Sequence, residues 1–366
     1  MNVRKMRILH APALVINQQW VLSRAQRKLG YKSDVMTFNA GKKDLLAKDC
    51  DFDFAFDRNN ISLKLSKILP SASFLLKFGI FFVKALFRYD VFHFHSESFM
   101  GSASSLDLAL LRFFKKKIMF QYWGCDIRMK TMSILSGNYS TCDDCIRVCK
   151  NSRKLRDNLM HLKYADSRVY GGTDEIRMVP DAIYLPLAVD LDYWKDAEAI
   201  PEEHRLPESG NVRVLHPFEN AKSRGDQKGA KFIKKAVEDL KREGYKIDYI
   251  FVEDVPHDSM RYYYQQADIV AVQLLMGTYG GVSVEAMAMG KPVICYLNKD
   301  AERLLPKDNP IVNADPKNIT DKLRMLVKDA TLRNDIGKKS KKYIEKHHDA
   351  LKVAREFINL YQKDWR

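Results

Sequence analysis

GTYGGVSVEAMAMGKPVICY, residues 277–296, sets out a loop, a helix and a strand in that order. Glycines precede a short apolar segment carrying one acid, Glu285. Gly290, Lys291 and Pro292 stop that segment, and the apolar run 293–296 follows as a buried strand. Exposed backbone N–H groups at a glycine-led helix start, together with the helix dipole, favour an anion such as a diphosphate. An acid one turn into the helix can accept hydrogen bonds from a sugar diol. The same residues also suit an ordinary α/β unit whose acid is merely stabilised by the dipole, so the rest of the chain has to decide.

Working outward, the second half alternates in the same way. Strand-like 212–215, helical 229–242, strand-like 247–252, helical 259–266 and strand-like 269–274 lead into the opening stretch. The first half does likewise: MRILH (6–10), a helical spacing over 20–29 closed by Gly30, and a strand over 33–38. DVFHFH (90–95) and KIMFQYW (117–123) read as buried strands around a helix at 106–114, and short strands follow at 165–170 and 183–187. The polar, acid-rich stretch 190–210, with Pro201 and Pro207, reads as the connector. The fold predicted is α/β, with two Rossmann-like domains facing a central cleft: 1–190, a linker 191–210, and 211–340. A C-terminal helical segment, 341–366, has apolar residues able to pack on either domain.

The chain has 366 residues, enough for two cores, and 61 Lys and Arg against 46 Asp and Glu give a formal charge of +15. That balance favours anionic partners, phosphate, nucleic acid or acidic lipid. Against nucleic acid, the basic residues are dispersed, with local runs only at 115–117 and 338–342, and no nucleic-acid motif occurs. The short apolar run after the first basic residues has no cleavage site and reads as a strand, predicting a cytoplasmic protein whose six cysteines stay reduced. Residues 61–87 mix Lys64, Lys67, Lys77 and Lys84 with Leu, Ile and Phe. Such a segment can lie on an anionic membrane face or pack on the first sheet.

DVFHFH, the WGCD turn at 123–126, PLAVD at 186–190, the Lys228-Gly229 pair, Ala267-Asp268 and EAMAMGKPVI at 285–294 together resemble the retaining glycosyltransferases of family 4. The resemblance implies the two-domain GT-B architecture. It also implies transfer of a sugar from a nucleotide-sugar, a UDP-sugar, to a hydroxyl of a glycan or lipid-linked acceptor in bacterial surface polysaccharide or glycoconjugate synthesis, with no metal or other cofactor for the chemistry. In that family an arginine and a lysine after the first strand of the second domain hold the donor diphosphate. Lys228 matches the lysine, and Arg224, with Lys222 behind it, is the nearest arginine. Both would stabilise charge growing on the leaving group. The mechanism implied has no protein nucleophile, the leaving diphosphate itself taking the acceptor proton.

Of the family's two acids separated by seven residues, Glu285 matches the one on the ribose, but the other position is Gly277. Gln273, Thr278 or Tyr279 are left to replace that contact, with Gly280, Gly281 and Val282 giving the backbone approach to the donor. Because the first acid is missing, a sugar-nucleotide epimerase or a non-catalytic binding protein of the same fold stays open beside the transferase. In the first domain, Trp123 stands where the family often has a histidine. His95, Glu97, Tyr122 or Asp126 would then orient the acceptor, His95 and Asp126 closest to the chemistry, with His10, Asn17 and Gln18 on the loop after the first strand. One of His93 and His95, two residues apart on a strand, is expected in the core.

Cys142, Cys145 and Cys149 (CDDCIRVC), with Cys125, have a spacing open to a Cys₄ structural zinc or to reduced thiols on a loop. Asp51-Phe52-Asp53 has the form of a metal-binding DxD but sits in an acidic, Phe-rich loop, and is read as loop.

Overall fold

The computed structural model describes residues 5–12, 17–38, 50–53, 72–130, 139–142, 145, 149, 151–173, 176–218, 226, 228–253 and 255–363. The first sheet contains β1 (Arg7–Pro12), β2 (Lys32–Thr37), β3 (Phe52–Asp53), β4 (Val91–His95), β5 (Lys117–Tyr122), β6 (Ser167–Tyr170) and β7 (Ile183–Tyr184), ordered β3-β2-β1-β4-β5-β6-β7. The second contains β8 (Val212–Phe218), β9 (Ile247–Glu253), β10 (Ile269–Ala271), β11 (Val293–Cys295) and β12 (Val312–Asn313), ordered β12-β11-β10-β8-β9. Every pairing between these strands is parallel. Parallel strands need crossovers, supplied by α1 (Gln18–Lys28), α2 (Ala72–Arg88), α3 (Leu106–Phe113), α4 (Asn151–Tyr164), α5 (Ala230–Arg242), α6 (Met260–Gln266), α7 (Gly281–Ala288) and α8 (Lys299–Leu304), while α9 (Ile319–Lys328) follows the last strand. Two further helices, α10 (Ala330–His347) and α11 (Ala350–Gln362), end the chain.

Helices cover both faces of the first sheet, which is why β4 and β5 are buried at every residue. On one face Leu86 of α2 and Leu108 and Leu111 of α3 pack on Phe92, Phe94 and Phe120. On the other, Trp20 and Leu22 of α1 join Val353, Phe357, Ile358 and Tyr361 of α11 over Ile8, Val91 and Met119. Each such apolar side chain contributes roughly 1.5–3 kcal/mol. The last helix of the chain therefore completes the first domain's core.

The crossing between domains is shorter than the polar stretch suggested. The chain leaves the first domain at Val189 and returns at His348 and Asp349, where the two passages pair: Val189 N donates to His348 O (2.8 Å) and Ala350 N to Val189 O (3.0 Å). Residues 191–210 lie on the second domain instead, with Trp194 in its core, and with the backbone N–H groups of Ala197 and Leu206 donating to the side chains of Gln265 and Gln266. Their polarity reflects an exposed coil over α6.

In each sheet the chain builds outward on one side of its first strand and then continues on the other side. A switch point therefore opens between β1 and β4, and another between β8 and β10. Ligands of open α/β sheets bind beyond the carboxyl ends of strands at such points.

Candidate functional site

Beyond β8 and β10 the second domain gathers Lys228, the turn 277–280 and the start of α7. The Lys228 charge reaches the carboxyl ends of two strands: the His216 imidazole is lowered to about 3, first by burial and then by Lys228, and the same cation acts on the buried Cys295 thiol. Gly280 has open space where a Cβ would stand, so a ligand can approach the backbone at the N-terminus of α7. Arg224 and Lys222 lie outside the described residues.

Glu285 is 7% exposed and already engaged: His257 Nε2 donates to its Oε1 (2.8 Å), and Tyr264 hydroxyl donates to Oε2 (3.4 Å). His257 Nδ1 in turn accepts from Asn17 Nδ2 of the first domain (3.0 Å). The chain Asn17–His257–Glu285 thus bridges the cleft and fixes His257 as its Nε2–H tautomer. It borders a cavity of about 20 Å³, room for about one water. His257 was not foreseen; its one sequence signal is the PHD turn that follows strand β9.

Several expected donor contacts are corrected. Gly277 has φ +71°, and a Cβ there would lie 2.7 Å from Asn298 Nδ2, while Asn298 Oδ1 caps α8 by accepting from Ala301 N (2.9 Å). The position given to an acid in the family is here a left-handed turn packed on a helix cap, so restoring an acid would displace the cap. Tyr279 points away from the cleft, its hydroxyl 3.0 Å from His348 Nε2 and 3.4 Å from Tyr343 hydroxyl. Thr278 Oγ1 accepts from Thr173 N (3.1 Å) and Oγ1 (2.9 Å), a contact between domains, and Gln273 Nε2 donates to Thr278 O. Val282 packs partly buried against the second core and Gly281 opens α7, so only the backbone here faces a ligand.

The first domain requires similar correction. His10 and His95 are wholly buried, as is His93, so neither His10 nor His95 reaches an acceptor. Gln18 clamps Ala188 through both amide atoms, to its O (2.9 Å) and from its N (2.8 Å), bracing the crossing. Tyr122 is buried 3.2 Å from His161 Nδ1. Asp126 accepts from Trp123 N (3.0 Å) and Ile127 N (3.0 Å), and burial raises its carboxyl: it holds the WGCD turn. Trp123 lies flat beside His95, the rings 6.0 Å apart and 8° from parallel. Asp51 pairs with Arg27 (2.6 Å) and accepts from Val35 N (2.9 Å), a structural role.

Glu97 lines a cavity of about 350 Å³ with Asp126, Arg128 and Arg153. Cys125, Cys142, Cys145 and Cys149 line the same cavity as free thiols. Among the described residues they do not form a metal-sized group. Cys149 Sγ instead lies 3.2 Å from Lys154 Nζ and 3.1 Å from Asn151 Oδ1.

Residues 224–343 match the family model of the glycosyl transferases group 1. The fold is that of GT-B glycosyltransferases. It superposes on sucrose-phosphate synthase from Thermosynechococcus elongatus with a TM-score of 0.63 at 14% identity, over 98% of this chain and 99% of that one. Anabaena HepE in complex with UDP-glucose gives 0.63 at 14%, over 98% and 100%. UDP-GlcNAc 2-epimerase from Neisseria meningitidis, bound to UDP-GlcNAc, gives 0.58 at 13%, over 98% and 100%. No curated protein sequence matches significantly.

Proposed function

We propose that the protein is a retaining glycosyltransferase that moves a sugar from a UDP-sugar to a hydroxyl of a glycan or lipid-linked acceptor, in surface polysaccharide or glycoconjugate synthesis. The observation that carries this reading is the meeting of Lys228 and the α7 N-terminus at one switch point, across the cleft from Asn17. There the diphosphate lies on backbone N–H groups beside a fixed cation, and Lys228, with Arg224, takes the charge-neutralising role that otherwise falls to a divalent metal. As the glycosidic C–O bond breaks, its electron pair passes to the diphosphate oxygen, which takes the proton of the incoming hydroxyl while that hydroxyl's oxygen bonds to the anomeric carbon on the same face. Glu285 receives the ribose hydroxyls once the nucleotide has parted His257 from it, so donor binding and the Asn17–His257 bridge compete.

The likeness to the epimerase favours a second reading, C2 epimerisation of a sugar-nucleotide, as does Gly277 in place of an acid. Thermal melting with UDP-, GDP-, ADP- and CMP-sugars, followed by product analysis, separates them. A UDP-sugar at about 100 times its Kd is expected to stabilise by about 2.7 kcal/mol. Transfer or donor hydrolysis supports the transferase and an epimerised sugar the alternative, whereas no response to any nucleotide-sugar would reject both.

No described helix is long and apolar enough to cross a membrane. Helix α2, however, uses two faces. Phe78, Phe81, Phe82 and Leu86 pack inward, while Leu76, Ile80, Val83 and Phe87 form an exposed row beside Lys77 and Lys84. Phe87 continues it onto Phe114 at the end of α3, ring centres 5.8 Å apart, next to Phe113, 79% exposed. An exposed apolar row rimmed by lysine fits the surface of an anionic bilayer, where the protein works as a cytoplasmic, peripheral enzyme. Residues 61–71 lie outside the described part. The protein is expected to float with acidic vesicles and Phe87→Glu to remain at the bottom; wild-type protein that ignores acidic vesicles would sink the idea.

A further inference from the structure

A polar group lies inside the first domain where the sheet should be apolar. In the parallel register His10 pairs with His93, and His95 with Gln121, so side chains from three adjacent strands, β1, β4 and β5, share one face. All four are buried to within 1%. His93 Nε2, His95 Nδ1 and both amide atoms of Gln121 have no hydrogen-bond partner, and Gln121 lies close enough to His93 to act on its charge without bonding geometry. Each orphaned buried polar atom costs about 1–3 kcal/mol, so a cluster of them calls for a missing partner.

We propose that His10, His93 and His95 bind a single zinc-class divalent ion inside the first domain. Among the described residues theirs are the ligand atoms gathered within 4.8 Å of one another. A His-x-His pair on one strand with a third imidazole from the adjacent strand gathers three nitrogens on one face, the His₃ donor set that zinc accepts. The outer contacts agree with ligation. His10 Nε2 donates to Gln26 Oε1 (2.9 Å), which leaves Nδ1 as the acceptor of a hydrogen bond from His95 Nε2 (3.1 Å), whose proton the ion would replace. His93 Nδ1 lies 2.8 Å from Tyr361 hydroxyl, which leaves Nε2 for the ion. Metal-ligating histidines are held through their other nitrogen in this way. Gln26 is on α1 and Tyr361 on α11, so the ion would tie both covering helices to the sheet. Its three histidines are wholly buried, so its role is structural, entering as the domain folds.

Full-length protein purified from zinc-supplemented culture is expected to hold about one zinc per chain by elemental analysis. His93→Gln should lose it, and Cys142→Ser/Cys145→Ser should keep it. If His93→Gln does not fold, cobalt exchanged into the wild-type protein decides: visible d–d bands without a thiolate charge-transfer band support three imidazoles. Zinc-free wild-type protein, zinc that leaves with the cysteines, or a thiolate band would overturn the site. Because the readouts are metal content and spectrum, the result stands apart from whether the protein transfers sugar.

Discussion

Lys228→Ala is expected to lower sugar transfer about 10²–10³-fold while the protein melts where the wild type does. The side chain belongs to a turn outside the two second-domain cores, so its removal leaves the packing intact. What it removes is a cation at the carboxyl ends of β8 and β11, felt by both His216 and Cys295. A leaving diphosphate gains charge as the glycosidic bond lengthens, so that cation is worth more in the transition state than in the ground state. The loss should therefore fall on kcat more than on KM, and Lys228→Arg should keep part of the rate. Single-turnover rates of the two variants test this; a Lys228→Ala enzyme within about threefold of wild type would contradict the proposed diphosphate site.

Acid is expected to unfold the protein well before its carboxylates protonate. Six of the nine histidines are buried. Leaving aside the proposed metal ligands, burial lowers His161 and His216 to about 3 and His348 to about 4. His348 is held neutral, donating from Nδ1 to Leu187 O and accepting from Tyr279. Since the folded values lie below the unfolded 6.5, the unfolded chain binds more protons as pH falls. Stability is full above about pH 6.5 and is lost on the way down to the folded values. At about pH 5 each of the three costs about 2 kcal/mol, about 6 together, comparable to the whole stability of many domains. Urea midpoints at about pH 7 and about pH 5 check the loss, and His348→Asn should recover about one third of it. An unchanged midpoint would mean these imidazoles are not buried neutral.

The fold was legible because parallel strands buried on both faces must be continuous apolar runs: VFHFH and KIMFQY stand out, and Gly30 and Gly290 close helices elsewhere in the alternation. Side-chain direction around the cleft was not. Tyr279 and Thr278 follow the same strand as the anion-binding turn, yet one is turned inward by His348 and the other by Thr173, partners 69 and 105 residues away. Gln18 and Asp126 looked like ligand contacts because they are polar residues after strands, but each meets backbone groups that the local turn leaves unpaired. His257 escaped notice because it matches no family motif, and only the approach of Asn17 from the other domain gives it a purpose.

Helix α11 ties the order of synthesis to the order of folding. Residues 5–12 leave the ribosome early, but the face formed by Ile8, Trp20 and Leu22 is covered only when Val353, Phe357 and Tyr361 arrive at the far end of the chain. Of the two domains, the one made earlier is thus the later to close. Until then one face of its sheet stands bare to chaperones and to other nascent copies, and a truncation before Ala350 would leave it so permanently.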